Sequence, residues 1–531
     1  MKTLKTARGG KAAATARKAL PAAGPGLREA RRVSARRADG VAEVVAPARH
    51  SVTEVLAAHA AALDLGALPA RVRATAALLV LDTVGCALGA LALEDGRRLA
   101  AAVAAFGDAG PVTLWGRPGT AGPAAAAFVH GNLANFLDAD ETFRNFSHFC
   151  AGVVPAVLAA AEERNATGAQ VVVATVAGYE VAARLALAIP NLTARPRGEA
   201  VEIGWSDGGG HSWLALAAAV GAGRIYNLDG EGLARAMGLA AFLAPLPTFG
   251  RWWHSFPMRM TKYMLYGATA QAGVLAARMA EDGVTGDGAI LDGDGALWRM
   301  VGGVKFEAAP LLSPPGDPWW IDQAAFKLYP CSRLLHGALD GVAQVLGAAR
   351  RAGFGWRDVA ELEIGVQSAV LTHHYQNRAP AEAASACFSL PYVAALLCLE
   401  VPPGPDWLAP ETLGRADVRE MMARIRCVEE PRATRLVAEQ LAEPGRAGFE
   451  LGLATVRLMA GGRRFEAEVG AIAGDQWVEK MRLLPERIEA KFRRFAAAVL
   501  PAAAVEDAIA ACRELEGLAR VRPALKTLGQ R

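Results

Sequence analysis

Apolar residues recur at helical spacing through the first half of the chain, interrupted by Gly, Pro and Asn. The spacing predicts helices over residues 71–91, 153–163, 171–188, 212–226, 232–243 and 263–281. In the last of these, Gly267, Ala270, Gly273 and Ala277 fall three or four apart, so one face is small enough for a close helix neighbour. That stripe is a packing feature without chemistry. From 51 to 282 the reading is helix after helix, a buried bundle.

The period changes after Gly283. Pro310, Pro314, Pro315 and Pro318, with Trp319 and Trp320, mark a loop region, and strand alternation is first read beyond it. Leu362, Ile364 and Val366 alternate with Glu361, Glu363 and Gly365, and residues 456–459 and 465–469 flank Ala460-Gly461-Gly462 as a hairpin. Beyond Asp475 helical spacing returns, with Ile488, Phe492 and Phe495 on one face and Pro485 near the helix start. The expected fold class is mainly α, a large all-α helical domain with an inserted smaller α+β lid domain. Its expected divisions are a basic disordered extension over 1–49, the first part of the helical domain over 50–283, the lid over 284–474, and C-terminal helices over 475–531 that rejoin the helical domain.

Hydrophobic residues at 53% and charged residues at 21% exclude wholesale disorder and a fibrous repeat. The longest uncharged run, 118–137, contains Pro123, His130, Asn132 and Asn135 and makes a poor membrane span, so no membrane is expected as a partner. The net charge of +4 is uneven: residues 1–40 hold 11 Lys or Arg against 2 Asp or Glu, which leaves 46 basic against 51 acidic residues elsewhere. The basic segment lacks the apolar block of roughly 7–15 residues of a secretory signal, and Ser34 is its only serine. A disordered extension is therefore expected ahead of a transit peptide or a nucleic-acid-binding arm. Seven scattered cysteines without a C-x-x-C pair suit a reducing cytoplasm, and no metal-ligand signature is present, so no structural zinc is expected.

A polar side chain buried without a partner costs about 1–3 kcal/mol, so polar residues that interrupt apolar helices are either satisfied or functional. Four clusters stand out. In HGNLANFLDADETFRNFSHFC, Asp138, Asp140, Glu141 and Thr142 precede His148; three carboxylates can cap a helix or face solvent, but the histidine and apolar flanks favour a site. Gly208, Gly209 and Gly210 deliver His211 to a helix start, where an anion can sit; a flexible loop with a capping histidine is the alternative. The run matches neither nucleotide-binding glycine motif. Lys262 opens an otherwise apolar helix, as a buried cation or a snorkelling surface lysine. Lys327, Arg333 and His336 accompany Cys331, a weak nucleophile candidate because no positioned base is visible. Together these groups suit acid–base chemistry beside carboxylates: a base removes the α proton, cations stabilise the developing charge, and an acid helps a β-hydroxyl leave.

Six segments in order, LDADET with a histidine six residues on, GYEVAARLALA, the G-H turn before AAAVGAGRIYNLDGEGLARAMGLAA, KYMLYGATAQAG, FKLYPCSRLLHGALD and CFSLPYVAA, resemble the MmgE/PrpD family across about residues 51–500. The family includes 2-methylcitrate dehydratase, cis-aconitate decarboxylase and iminodisuccinate epimerase. The resemblance implies a helical domain with a smaller lid, a homodimer, and chemistry without metal or organic cofactor. It implies catalytic roles for His148, His211, Asp138 and Lys262 and substrate binding by Thr142, Lys327 and Tyr375. The two histidines are expected in one cleft sharing the proton transfers, with the lysines holding substrate carboxylate, Asp138 orienting an imidazole or a lysine, and Tyr375 closing the site from the lid.

Phe149 stands where the family commonly has Pro, Ser212-Trp213 where a Pro-Thr type sequence is usual, and Trp252, Trp253 and His254 are bulkier than the family pattern. The function expected is a lyase acting on a small di- or tricarboxylate, with 2-methylcitrate-type dehydration the default and decarboxylation or epimerisation the alternatives. A noncatalytic or nucleic-acid-associated protein using the basic tail is the reading from a different class, disfavoured by the acidic balance of the remaining chain.

Overall fold

Alanine and glycine dominate the faces where helices meet, and this lets backbones approach at short range. The computed structural model describes residues 51–101, 109–190, 192–197, 200–205, 211–246, 251, 254–303, 305–316, 318–443, 448 and 452–529. The basic segment 1–49, the glycines at 208–210 and the Trp252-Trp253 pair lie outside the described residues.

The protein is mainly helical. Its first part contains α1 (Ala70–Ala90), α2 (Pro123–Phe136), α3 (Cys150–Arg164), α4 (Gly168–Ala188), α5 (Leu214–Ile225), α6 (Gly230–Leu243) and α7 (Met264–Glu281). Pro123 opens α2 in the first turn, where its missing N–H costs nothing. Thr167 caps α4 by accepting from the Gln170 N–H, and Gln170 returns a bond to the Thr167 N–H. Both α1 and α4 are long and apolar enough to cross a membrane by length and composition, yet the apolar window of α4 is 100% buried within the protein itself. Its Glu180–Arg184 ion pair is buried with it.

Helices α2 and α7 cross at Gly131 and Gly267. A Cβ on Gly267 would lie 2.1 Å from the Phe128 carbonyl oxygen, so only glycine fits there. Asn132 Oδ1 accepts the Gly267 N–H at 2.9 Å across the crossing. A Cβ on Gly273 would lie 2.5 Å from Ala218 Cβ on α5, so the small stripe read from the sequence faces two neighbours at once.

Strands interrupt the helices earlier than expected. β1 (Thr142–Phe143) follows α2, and a hairpin of β2 (Leu192–Arg197) and β3 (Ala200–Trp205) lies between α4 and α5, inside the region read as helix throughout. Alternating Val201 and Ile203 in AVEIGW are the local reason for its second strand, while Pro196 in LTARPR disfavours a helix there. β4 (Ala324–Ala325) pairs antiparallel with β1. Farther on, α8 (His336–Arg351) packs on a four-stranded sheet of β5 (Val359–Val366), β6 (Ile425–Glu429), β7 (Ala454–Ala460) and β8 (Arg463–Val469), with α9 (Pro431–Ala442) after β6. The sheet order is β8-β7-β5-β6, with β5 and β6 parallel and the other pairs antiparallel. Gly461 and Gly462 turn the β7–β8 hairpin with φ of +54° and +75°, the positive values a two-residue type I′ turn demands.

The chain then returns to the helical part. In α10 (Pro485–Ala496), Phe492 and Phe495 seat on Gly85 and Gly89 of α1, where a Cβ would come within 2.8 and 2.9 Å of the rings. The main buried core runs continuously from α1 into the sheet. Leu192 and Ile203 of the β2–β3 hairpin bury against Val437 of α9, in a second cluster.

Candidate active site

Asp138 is the second residue beyond α2. Its N–H bonds to the Asn135 carbonyl and its φ is +50°, a left-handed conformation that Asp tolerates better than most residues. Because Asp138 lies seven residues after the Gly131 crossing and Lys262 five residues before Gly267, the antiparallel run of α2 and α7 brings the two together. Lys262, in the turn Met260–Tyr263, donates to Asp138 Oδ2. The β1–β4 pairing sets Lys327, two residues past Ala325, against the same residue, and its ammonium donates to Asp138 Oδ1 and, at 2.8 Å, to the Asp138 carbonyl. Burial alone would push the Asp138 carboxyl up, but Lys262, Lys327 and His148 outweigh it and hold the group well below the usual carboxylate range.

His148 Nε2 lies 3.6 Å from Asp138 Oδ1, and its Nδ1 is 3.0 Å from Asp140 Oδ2. Burial lowers the affinity of this ring for a proton, with Asp140 opposing. His211, in the turn that leads into α5, sets Nε2 3.2 Å from Ser147 Oγ and Nδ1 3.4 Å from the Tyr266 hydroxyl. Tyr266 also meets the His148 ring edge to face at 5.6 Å, so both histidines border one tyrosine. Burial, with His148 and Lys262 nearby, drives the His211 pKa down to about 3. The resting His211 ring is therefore neutral at physiological pH.

The three carboxylates of the DADE run diverge. Asp138 takes the lysines, Asp140 takes His148 and Asn135, and Glu141 accepts the Cys150 N–H at the start of α3 at 2.9 Å. They do not converge on one point, so the run is no cage for a hard cation. Burial pushes Glu141 up to about 8, which makes it a neutral acid at pH 7. The hydroxyl of Thr142 is buried with no hydrogen-bond partner among the described residues. Tyr375 is buried too; its hydroxyl is 3.0 Å from Ser332 Oγ, and its ring lies 5.6 Å from Phe388, which in turn faces the Lys262 ammonium at 5.0 Å. Arg333 pairs with Asp475 and approaches His336, so both serve the packing of the second part. Burial pushes the Cys331 thiol well up, opposite to what a nucleophile requires.

Sequence reading placed Asp140 in the first candidate cluster without a role of its own and did not single out Lys491. The Lys491 side chain on α10, 7% exposed, donates to Asp82 at 2.7 Å and to the Ala139 carbonyl, and so ties α10 to the loop that carries Asp138 and Asp140. Only its place among Ile488, Phe492 and Phe495 hints at burial.

This array of two lysines and a histidine about one aspartate sits in a chain that matches two family domains in order. The MmgE/PrpD N-terminal domain matches residues 54–308, and the MmgE/PrpD C-terminal domain matches residues 329–515. The chain belongs to the MmgE/PrpD family. Among its relatives, cis-aconitate decarboxylase of Aspergillus terreus is 24% identical over 318 residues, 56% of this chain and 61% of that enzyme. The cis-aconitate decarboxylase of Homo sapiens is 26% identical over 308 residues, 56% of this chain and 60% of the enzyme. That of Mus musculus is 24% identical over 401 residues, 72% and 76% of the two chains. The chain thus spans about three fifths of the length of the fungal and human relatives it matches.

Two departures from the MmgE/PrpD pattern meet in space. Phe149 and Trp213 lie 6.1 Å apart, and Phe149 also packs on Phe143 and Tyr179, at 5.2 and 5.1 Å. The bulk at these positions forms one aromatic wall, with Trp213 5.7 Å from the His211 ring.

Proposed function

We propose that this MmgE/PrpD protein is a cofactor-independent lyase acting on a small di- or tricarboxylate at the Asp138 cluster. The observation that carries the reading is the convergence of two buried lysines on one aspartate beside a histidine whose Nε2 faces the same point. An incoming substrate carboxylate competes with Asp138 for the two ammonium groups, and Thr142 offers a hydroxyl. By the division expected from sequence, Lys327, Tyr375 and Phe388 belong to the lid and the remaining site residues to the helical part, and that division is part of this proposal. The sheet-bearing part then acts as the lid.

Decarboxylation is the favoured reaction, ahead of the dehydration that the family resemblance makes the default, because the matched relatives are named cis-aconitate decarboxylases. The bond from carbon to the departing carboxylate breaks, its electron pair stays on carbon, CO2 leaves, and one proton is delivered to form the new C–H bond. Lys262 and Lys327 stabilise the charge that develops beside the remaining carboxylates. His148, protonated at Nε2, delivers that proton to carbon and is reprotonated from solvent. Neutral His211 acts as a hydrogen-bonding partner, held by Ser147 and Tyr266. Dehydration and epimerisation pass through the same kind of carbanion and stay as alternatives. A homodimer is part of the proposal, supported by the exposed Phe242 and Leu246 at the end of α6. So is a cytoplasmic setting, which the scattered free cysteines support.

The test is turnover of purified protein on cis-aconitate, 2-methylcitrate, citrate and iminodisuccinate, with CO2 release, absorbance of the unsaturated product and optical rotation followed together. CO2 release from cis-aconitate supports decarboxylation. A folded protein that turns over none of the four contradicts the reading.

A further inference from the structure

Asp140 is fully buried and spends each carboxylate oxygen on a different donor. Oδ1 accepts from Asn135 Nδ2 at 2.9 Å, from the last turn of α2, and Oδ2 lies 3.0 Å from His148 Nδ1. An ionised carboxylate only accepts hydrogen bonds, so the His148 nitrogen facing it must carry the hydrogen. The neutral ring is then the Nδ1–H tautomer, and its lone pair is on Nε2, the nitrogen 3.6 Å from Asp138 Oδ1.

The surroundings leave Asp140 little freedom. Lys491 holds the Ala139 carbonyl on one side, and the Cys150 N–H holds Glu141 on the other. With the Ala139 carbonyl and the Glu141 side chain held and Oδ1 clamped by Asn135, Oδ2 is left for His148. A proton arriving at Nε2 would place the imidazolium between two carboxylates, a charge-assisted arrangement on both nitrogens.

We propose that Asp140 is a positioning residue that fixes the tautomer of His148 and aims its Nε2 at the Asp138–Lys262–Lys327 cluster. This rests on the reading of that cluster as the reacting centre. The groups facing His148 are Asp138 and Asp140 from its own loop, Lys327 beyond β4, Tyr266 in the first turn of α7 and His211 before α5, with Lys262 paired to the Asp138 carboxylate. Asp140 is the one whose replacement alters Nδ1 directly.

The experiment pairs 15N spectroscopy of histidine-labelled protein with kinetics of Asp140→Asn. The His148 signal is identified by its loss in His148→Gln. In unliganded wild type the expected signature is a protonated Nδ1 and an unprotonated Nε2. Asp140→Asn has one oxygen for two donors, so the tautomer is released or reversed. Its kcat is expected to fall about 10²-fold or more with KM changed less than threefold. The limb of its kcat/KM profile that reports His148 is expected to move to lower pH, because an anion that favours the imidazolium is gone. An Nε2–H signature in wild type overturns the proposal without any variant. A folded Asp140→Asn with unchanged kcat and an unmoved His148 limb also overturns it. If wild type turns over no carboxylate, the proposed function falls, and the tautomer signature alone decides the role of Asp140.

Discussion

The Lys327 ammonium, itself fully buried, donates to both the carbonyl and the carboxylate of Asp138. One lysine thus fixes both the backbone and the side chain of the residue about which the site is built. Lys262 reaches the other carboxylate oxygen, so the two cations are kept apart by a single anion.

Asp138→Asn removes that anion and leaves two ammonium groups facing each other in a buried site. Stability is expected to fall by about 3–5 kcal/mol, the usual scale for stranding a buried charge. Denaturant unfolding checks the loss. A small tricarboxylate added during unfolding is expected to restore part of it, because the ligand supplies the missing negative charge.

His211 has a folded pKa of about 3 against an ordinary value of 6.5. Between those values the unfolded chain takes up a proton that the folded protein refuses, so stability declines as pH falls from 6.5 toward 3. His211→Gln is expected to flatten this decline by up to about 1.4 kcal/mol per pH unit, the limit for one proton. Unfolding measured between pH 4 and pH 7 reads the change in slope.

Glu141 gives the opposite sign. Its folded pKa is raised to about 8 from 4.5, so from pH 4.5 to 8 the folded state holds a proton that the unfolded chain has lost. Stability is full below 4.5 and drains away as pH rises through 8. Glu141→Gln keeps an acceptor for the Cys150 N–H without the titration. It is expected to be less sensitive than wild type to a shift from pH 6 to pH 8 in thermal unfolding.

The helices over 71–91, 171–188 and 263–281 were legible because their apolar positions repeat over several turns, and the observed elements Ala70–Ala90, Gly168–Ala188 and Met264–Glu281 differ by no more than three residues at either end. The β2–β3 hairpin was not, since its first strand carries two arginines and a proline in six residues and shows little alternation. Strand β6 escaped for a related reason: five residues, IRCVE, paired in parallel with a segment more than sixty residues earlier. In the site, residue types pointed to Asp138, His148, His211 and both lysines. Three carboxylates in four positions look equivalent along a chain, and only the path of the loop assigns one to the lysines, one to His148 and one to a helix start.

Lys491 tests how far the site depends on distant packing. Lys491→Met strands the buried Asp82 and frees the Ala139 carbonyl, so stability is expected to fall by about 3–5 kcal/mol. Turnover is expected to drop more than KM rises, because the loop that aims His148 loosens while both carboxylate-binding lysines remain. Steady-state kinetics beside a melting curve separates the two effects.

The most direct measurement is calorimetric titration of tricarballylate, a saturated tricarboxylate that cannot react, into wild type and Lys262→Ala. The account predicts saturable binding to wild type and at least a tenfold weaker affinity in the variant, about 1.4 kcal/mol or more. Equal affinity in the two folded proteins, or no binding to wild type, would contradict a carboxylate site at the Asp138 cluster.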